Sequence, residues 1–599
     1  MQLYSIEVWQ SSTYNESMTA VPLSFQLHIQ EYQIKRFDIH REDKMKKISK
    51  ALLVWIPLFL LLLATTACSG NKLNQGGEMA ADRTESKDLL KDGQKAGEGI
   101  QKDFEEEEKS QKTEEKQMTE GMDITLKGAL KSFGNKNPLM TQRLGADPYA
   151  LVYQDRVYIY MTGDVIEYGA DKKAKNNSFG KINTINVISS SDLVNWTDHG
   201  AIKAAGSLGA AKWGNNSWAP AAAYKEIDGK PKFFLYFANG GNGIGVLTAD
   251  SPIGPFTDPL GHALVSRSTP NCANVAWLFD PAVLVDDDNK AYLYFGGGIP
   301  GENFANPGTG RAVQLGDDMI SLAGDPVALD IPYLFEDSGI NKIGDTYYYS
   351  YCSNWNVDQE ATDTLGFASA EIVYMTSKSP LGPFTLQGSI LKNPGIFFGC
   401  YGNNHHCMFR FKDQMYITYH TQILEQLLKI KGGYRCTHID PVTVGEDGKI
   451  EKITATKSGV DQVGSLNPYE RTEAETIGTM AGITTVLLEE NGERSGTGNM
   501  AVTDMKEGSW LAVYGADFNE KGAVSFTVAV RALEGVQGGI QIRLDRPTGE
   551  IVGYLPIEAD NSGEFKEIST ELFKKITGKH DLVFVFTGEG YEFDYWYFQ

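Results

Sequence analysis

Cysteine is scarce: six in 599 residues, none in a Cys-x-x-Cys pair, so no zinc-ribbon or dithiol motif is present. With Cys68 set aside, Cys272, Cys352, Cys400, Cys407 and Cys436 remain. This odd number leaves at least one thiol free. Cys400 and Cys407 are close enough either to bridge a loop or to sit as small buried residues. Positive charge is also short. Lys and Arg total 55 against 77 Asp and Glu, for a net −22, which argues against a nucleic-acid partner, since that would need a basic face. Helical periodicity is weak throughout, and Pro and Gly interrupt most windows that could sustain it. Long apolar runs are missing except for one near the N-terminus.

That run, Ala51 to Ala64, follows a basic stretch, Met45-Lys-Lys-Ile-Ser-Lys50, and ends in Thr66-Ala67-Cys68. It is too short for a comfortable membrane span and has the layout of a secretory signal. Residues 45–68 resemble a bacterial lipoprotein signal, with Cys68 acylated after cleavage, although Thr65 stands where Leu is usual. The implied location is extracellular, on the cell surface, with membrane contact only through that lipid. An uncleaved signal anchor is the alternative. Residues 1–44 read as a mis-called upstream extension. From Ser69 the chain is rich in Lys, Glu, Gln, Gly and Ser and nearly free of aromatics. It cannot bury enough apolar surface to order itself, so residues 69–136 are expected to be a disordered charged tether.

What is abundant is a repeated phrase: a polar opener, an apolar run, a turn, then a segment dense in Tyr and Phe. The openers are Asp147, Trp218, Asp280, Glu336 and His405. Each phrase reads as a β-hairpin. A recurring period of this size marks one supersecondary unit reused as the blade of a propeller. The fold class is therefore all-β: a five-bladed β-propeller over 137–459, a linker at 460–470, and a β-sandwich (jelly-roll) module of short alternating strands over 471–599.

Three of the five openers are acids. An Asp before Pro often only starts a turn, but three acids at one point of a repeat point to acid–base chemistry. Glycoside hydrolysis needs two carboxyls, and a third nearby can keep the acid protonated by like-charge repulsion. Strand alternation lets only one of Glu336 and Asp337, and one of His405 and His406, face the axis. Gly240-Gly-Asn-Gly-Ile-Gly245 mimics a dinucleotide loop but no helix follows, so it reads as a turn. Asp286-Asp-Asp-Asn289 mimics a calcium loop but reads as a solvated hairpin tip.

Gly145-Ala-Asp-Pro-Tyr149, Leu278-Phe-Asp-Pro281, Leu334-Phe-Glu-Asp-Ser338 and Gly402-Asn-Asn-His-His406 resemble the blade motifs of glycoside hydrolase family 43, inverting enzymes on a five-bladed propeller. The resemblance implies that Asp147 is the general base, Glu336 the general acid, and Asp280 the residue that tunes the acid. It also implies that His405 helps hold an axial metal, often calcium, and that Arg311 lies near the site. Trp218, which opens the second phrase, and Trp277, just before Asp280, are candidate sugar platforms; Trp213 and Trp355 read as core.

Glu473-Ala-Glu475, Gly508-Ser-Trp510 and Phe593-Asp-Tyr-Trp-Tyr-Phe598 resemble carbohydrate-binding module family 6. That likeness implies a structural calcium at Glu473, Glu475 and Asp594. Of the two usual stacking positions, the first holds Val502 and the second keeps an aromatic, Phe565, and the usual Asn position falls near Tyr591 or Glu592, so stacking at that cleft is expected to be weakened. A family 43 propeller followed by this module resembles arabinoxylan arabinofuranohydrolases, which implies a plant cell-wall polysaccharide, arabinoxylan or xylan, as partner. A β-xylosidase or bifunctional enzyme is the first alternative. A non-catalytic glycan-binding lipoprotein is the second.

Overall fold

The computed structural model describes residues 121–488, 497–532, 535–560 and 562–599. The extension 1–44, the signal with Cys68, and the tether up to residue 120 lie outside the described residues. Everything below belongs to the compact unit Phe104–Gln599.

The five repeated phrases form five antiparallel sheets. The first contains β1 (Ala146–Tyr153), β2 (Arg156–Thr162), β3 (Thr184–Ser190) and β4 (Trp196–Lys203). The second contains β5 (Trp218–Ile227), β6 (Lys230–Ala238) and β7 (Ile244–Ala249). The third contains β8 (Ala282–Val285), β9 (Ala291–Phe295), β10 (Arg311–Gln314) and β11 (Val327–Ala328). The fourth contains β12 (Leu334–Ile343), β13 (Thr346–Ser353), β14 (Ile372–Ser377) and β15 (Thr385–Leu391). The fifth contains β16 (His406–Phe411), β17 (Gln414–Thr421) and β18 (Cys436–Val442). The first strands touch in a ring: β1 with β5, β5 with β8, β8 with β12, β12 with β16, and β16 with β1.

Local chemistry explains the hairpins. Gln154 and Asp155 both take positive φ (48° and 56°) between β1 and β2, as do Asp228 and Gly229 (52° and 72°) between β5 and β6. This is the two-residue turn whose twist matches paired strands. The tyrosines of the second strands bury their rings and still satisfy their hydroxyls. Tyr236 donates to the Met319 carbonyl at 2.7 Å, Tyr294 to Pro380 at 2.6 Å and Tyr351 to Pro332 at 2.7 Å. Each such ring adds roughly 1.5–3 kcal/mol of apolar burial without leaving an unpaired polar atom.

The C-terminal region adds β19 (Thr472–Glu473), β20 (Thr476–Ile477), β21 (Thr479–Ala481), β22 (Thr484–Leu487), β23 (Met500–Thr503), β24 (Trp510–Asp517), β25 (Ala523–Ala532), β26 (Gln537–Leu544), β27 (Ile551–Glu558), β28 (Lys566–Ile576), β29 (Lys579–Thr587) and β30 (Tyr591–Phe598). One sheet runs β22-β23-β30-β25-β28, with β19 also on β30, and the other runs β21-β24-β29-β26-β27. Phe526, Phe584, Phe593, Trp596 and Phe598 lie in the core between them.

One segment boundary is corrected. Residues 121–136, expected within the tether, are packed. Ile124, Leu126, Ala129 and Phe133 cover Ala481, Trp510, Ala512, Val583 and Val585 on the outer face of the second sandwich sheet. The Trp510 indole donates to the Lys127 carbonyl at 2.9 Å, and Lys127 N–H donates to the Gly508 carbonyl at 2.8 Å. The stretch brings its own apolar residues, six of the sixteen from 121 to 136, to this face of small and apolar side chains. The linker, residues 460–470, is held in place as well. Gln462 donates to Asp192 at 3.1 Å and to the Tyr514 carbonyl at 2.9 Å, and β20 pairs with β4 as a fifth strand of the first sheet. All five described cysteines are buried and free, so Cys400 and Cys407 form no bridge.

Candidate active site

The strand starts are irregular where the acids sit. Pairing shifts between Ala146 and Tyr149, between Trp218 and Ala221, and between Glu336 and Gly339. Asp147, Ala219, Asp280 and Asp337 take positive φ of 46°, 40°, 50° and 72°. Bulges of this kind re-aim side chains and hold strain that the surrounding fold must offset.

These bends bring Asp147, Asp280 and Glu336 into one buried cluster, each with 5–8% of its surface exposed. His405 lies among them. Its Nδ1 is 3.6 Å from both Asp147 Oδ1 and Asp280 Oδ2, and its Nε2 is 3.2 Å from Asp337 Oδ1. Asp337 was expected to turn away from Glu336 by strand alternation. Asp337 is fully buried, whereas Glu336 keeps 8% of its surface exposed. The Asp337 N–H donates to Asp280 Oδ2 at 3.0 Å, while its carboxylate binds the His406 ring at 2.6 Å. His406 Nε2 rests on Ser350 Oγ at 2.7 Å. Both histidines are thus held by one carboxylate.

Arg435, His420 and Asp164 were not singled out in the sequence. Arg435 donates to Asp147 Oδ1 at 2.8 Å and through Nε and a terminal nitrogen to Asp164 at 3.0 and 2.7 Å. His420 Nδ1 accepts the Asp147 N–H at 3.2 Å and lies 3.1 Å from Oδ1, while Nε2 is 2.9 Å from the Asn403 carbonyl. No short motif marks Arg435; its only sequence signal is its place just before β18. Arg311, expected near the site, is not brought to the acids. Its Nε donates to the Asn271 carbonyl at 2.7 Å, and a terminal nitrogen donates to the Gly308 and Gly310 carbonyls, each at 2.8 Å. It braces the loops flanking the third sheet.

These surroundings push the acids apart. Burial alone would raise the Asp147 carboxyl, but Arg435, with His420 and His405, outweighs burial and holds it well below the usual carboxylate range. Glu336 is pushed well up by burial and by the charges of Asp280, Asp147 and Asp337. Asp280 is also raised, by burial and then by Asp147, with the Asp337 N–H opposing. Asp280 has that N–H to stabilise its anion, whereas Glu336 Oε1 is buried with no hydrogen-bond partner among the described residues. The proton therefore belongs on Glu336. An ionised carboxylate facing a protonated one is the arrangement for general base and general acid work.

Trp277 is 38% exposed and meets Phe279 and Phe335 edge-on, each at 5.2 Å. These two residues immediately precede Asp280 and Glu336 in the chain. The indole approaches the Gly298 backbone so closely that a Cβ there would meet its ring at 2.8 Å. Trp218 is half-buried and donates to the Phe179 carbonyl at 3.0 Å. Trp213 packs on Phe237 and donates to Asp258, and Trp355 packs on a core cluster, as expected. Asp286 departs from the solvated-turn reading: it is buried and binds the Lys342 ammonium and the Tyr347 hydroxyl.

Two sites were expected to hold calcium. Around His405 both ring nitrogens already have carboxylate oxygens at 3.2–3.6 Å, so an ion on the axis would meet the imidazole through water or a carboxylate rather than through a free ring nitrogen. The C-terminal site fits better. Glu475 is buried, with Oε2 unpartnered among the described residues, and its carboxyl is driven well up by burial and by Glu473 and Asp594. Asp594 accepts from Asn499 at 2.7 Å, and Glu473 is paired with Arg471 at 2.9 Å. Among the described residues no three such ligands are already gathered around one point, so an ion there would have to draw Glu473 away from Arg471. In the usual sugar cleft, Val502 is buried, while Arg531 pairs with Glu592 and lies over Phe565 at 4.7 Å.

Residues 135–450 match the model for glycosyl hydrolases family 43, and residues 473–599 match carbohydrate binding module (family 6). An arabinoxylan arabinofuranohydrolase of Paenibacillus polymyxa is 50% identical over 469 residues, 76% of this chain and 72% of that one. One from Bacillus subtilis (strain 168) is 49% identical over 487 residues, 78% of this chain and 93% of that one. The crystal structure of a family 43 arabinoxylan arabinofuranohydrolase from Bacillus subtilis, in complex with cellotetraose, matches with a TM-score of 0.75 at 48% identity, covering 79% of this chain and 99% of that one. With this cluster of acids on five antiparallel sheets, and these matches, the chain belongs to glycosyl hydrolase family 43 and carries a C-terminal carbohydrate binding module of family 6.

Proposed function

We propose that this glycosidase removes α-L-arabinofuranosyl side chains from arabinoxylan, with inversion, on a five-bladed propeller whose blades are the five sheets. The ring of contacts among β1, β5, β8, β12 and β16 supports the architecture. The two arabinoxylan arabinofuranohydrolases near 50% identity support the substrate. The observation that carries the chemistry is the split between Asp147, held low, and Glu336, held high.

Asp147, ionised beside Arg435, takes a proton from the attacking water. Glu336 hands its proton to the glycosidic oxygen as the bond to the anomeric carbon breaks. The water oxygen bonds that carbon from the opposite face, and the configuration inverts. Asp280 keeps Glu336 protonated through its charge and orients it. Trp277 and Trp218 supply apolar walls for sugar rings. Calcium, held by Glu473, Glu475 and Asp594, would neutralise three crowded carboxylates and stiffen the module. Acylation at Cys68 would hold the enzyme at the outer surface of the cell.

Arabinose release from arabinoxylan by the wild type, and its loss in Glu336→Gln, tests this reading. Xylose from p-nitrophenyl xyloside with no arabinose from arabinoxylan would transfer the assignment to a β-xylosidase. Xylan pull-down without any sugar release would make the chain a binding protein.

A further inference from the structure

The loop between β2 and β3 carries two residues that converge on Arg435. Asp164 accepts from its backbone N–H and its Nε, each at 3.0 Å, and from a terminal nitrogen at 2.7 Å. The ring of Phe179 faces the guanidinium, 5.1 Å from centroid to Cζ. Asp147 takes the remaining terminal nitrogen. A planar guanidinium gripped in its plane by two carboxylates and covered on one face by an aromatic ring is left with one orientation.

The backbone of Phe179 has its own constraints. It sits at φ 56°, the left-handed region, which a side chain this large occupies only when held there. Asn177 Oδ1 takes its N–H at 3.0 Å, and its carbonyl accepts from the Trp218 indole at 3.0 Å and from Asn216 at 3.3 Å. One strained residue therefore touches the cation beside Asp147 with its ring and the indole of Trp218 with its carbonyl.

We propose that Phe179 is a positioning residue that ties the general base to the sugar-contacting wall, its ring fixing Arg435 against Asp147 and its carbonyl fixing Trp218. The proposal rests on the reading of Asp147 as the base. It explains why a non-glycine residue is kept in a strained conformation on an otherwise exposed loop.

The test uses the full chain and arabinose release from arabinoxylan. Phe179→Ala and Phe179→Leu are each expected to lower kcat about tenfold, the scale of a lost cation–π contact near a buried ion, with KM changed less than about twofold. Phe179→Tyr, which keeps the aromatic face, is expected to restore kcat. Thermal unfolding of each variant separates lost activity from lost folding, and if the alanine variant does not fold, the leucine and tyrosine pair carries the comparison. Wild-type kcat in Phe179→Leu would overturn the proposal, because the ring would then only fill space. Wild-type kcat in Asp147→Asn would instead sink the base assignment itself, whatever the Phe179 series shows.

Discussion

Asp147 and Glu336 are both carboxylic acids, and their chemical difference comes entirely from neighbours. Asp147 has Arg435 at 2.8 Å, while Glu336 has three acids around it and an Oε1 that no described group satisfies. Activity needs Asp147 ionised and Glu336 protonated. The acidic limb of kcat/KM should therefore fall below the ordinary carboxylate range and the alkaline limb above it. Arg435→Gln removes the cation that outweighs burial, so Asp147 should hold its proton to higher pH and the acidic limb should move upward. A pH profile of that variant with an unmoved acidic limb would contradict the electrostatic account. Trp277→Ala is expected to raise KM on arabinoxylan by about tenfold with little change in circular dichroism; an unchanged KM would remove Trp277 from the sugar contact.

At the scale of strands, the starting bulges convert a repeat into a site. Gly339, just past the β12 bulge, faces His406, and a Cβ there would meet Ser350 Oγ at 2.5 Å and His406 Nε2 at 3.1 Å. Gly339→Ala should displace the His406–Asp337 clamp, lower kcat several-fold and reduce the melting temperature by about 4 °C; a variant with wild-type kcat and melting temperature would argue against the clamp. The hairpins and the three acids were legible because alternation and turn residues repeat along the chain. The bulge that gives Asp337 its positive φ was not legible, because nothing in Leu334-Phe-Glu-Asp-Ser338 announces one. Arg311 and Arg435 show the same limit: each is a lone arginine at a strand start or just before one, and only the folded neighbours separate a backbone brace from a partner of the base.

For the whole molecule, the described region after residue 120 holds together across its two β-regions. Residues 121–136 lie on the sandwich, Gln462 bridges Asp192 and Tyr514, and β20 extends the first sheet. The face that residues 121–136 cover is made by residues more than 300 positions away, so the docking could not be read from the segment alone. Trp510→Ala should remove the packing of Phe133 and the hydrogen bond to Lys127 and cost about 3–5 kcal/mol, read as a lower denaturation midpoint; an unchanged midpoint would mean that residues 121–136 add nothing. Calcium should raise the melting temperature of the wild type and leave Glu475→Gln unchanged, and equal shifts in both would move the ion elsewhere. The claim on which the rest depends is inverting release of arabinose by Asp147 and Glu336. Proton NMR of the first sugar released from arabinoxylan tests it most directly. The account predicts β-arabinofuranose as the initial anomer from wild type and no arabinose from Glu336→Gln. An initial α-anomer, or undiminished release by Glu336→Gln, would contradict it.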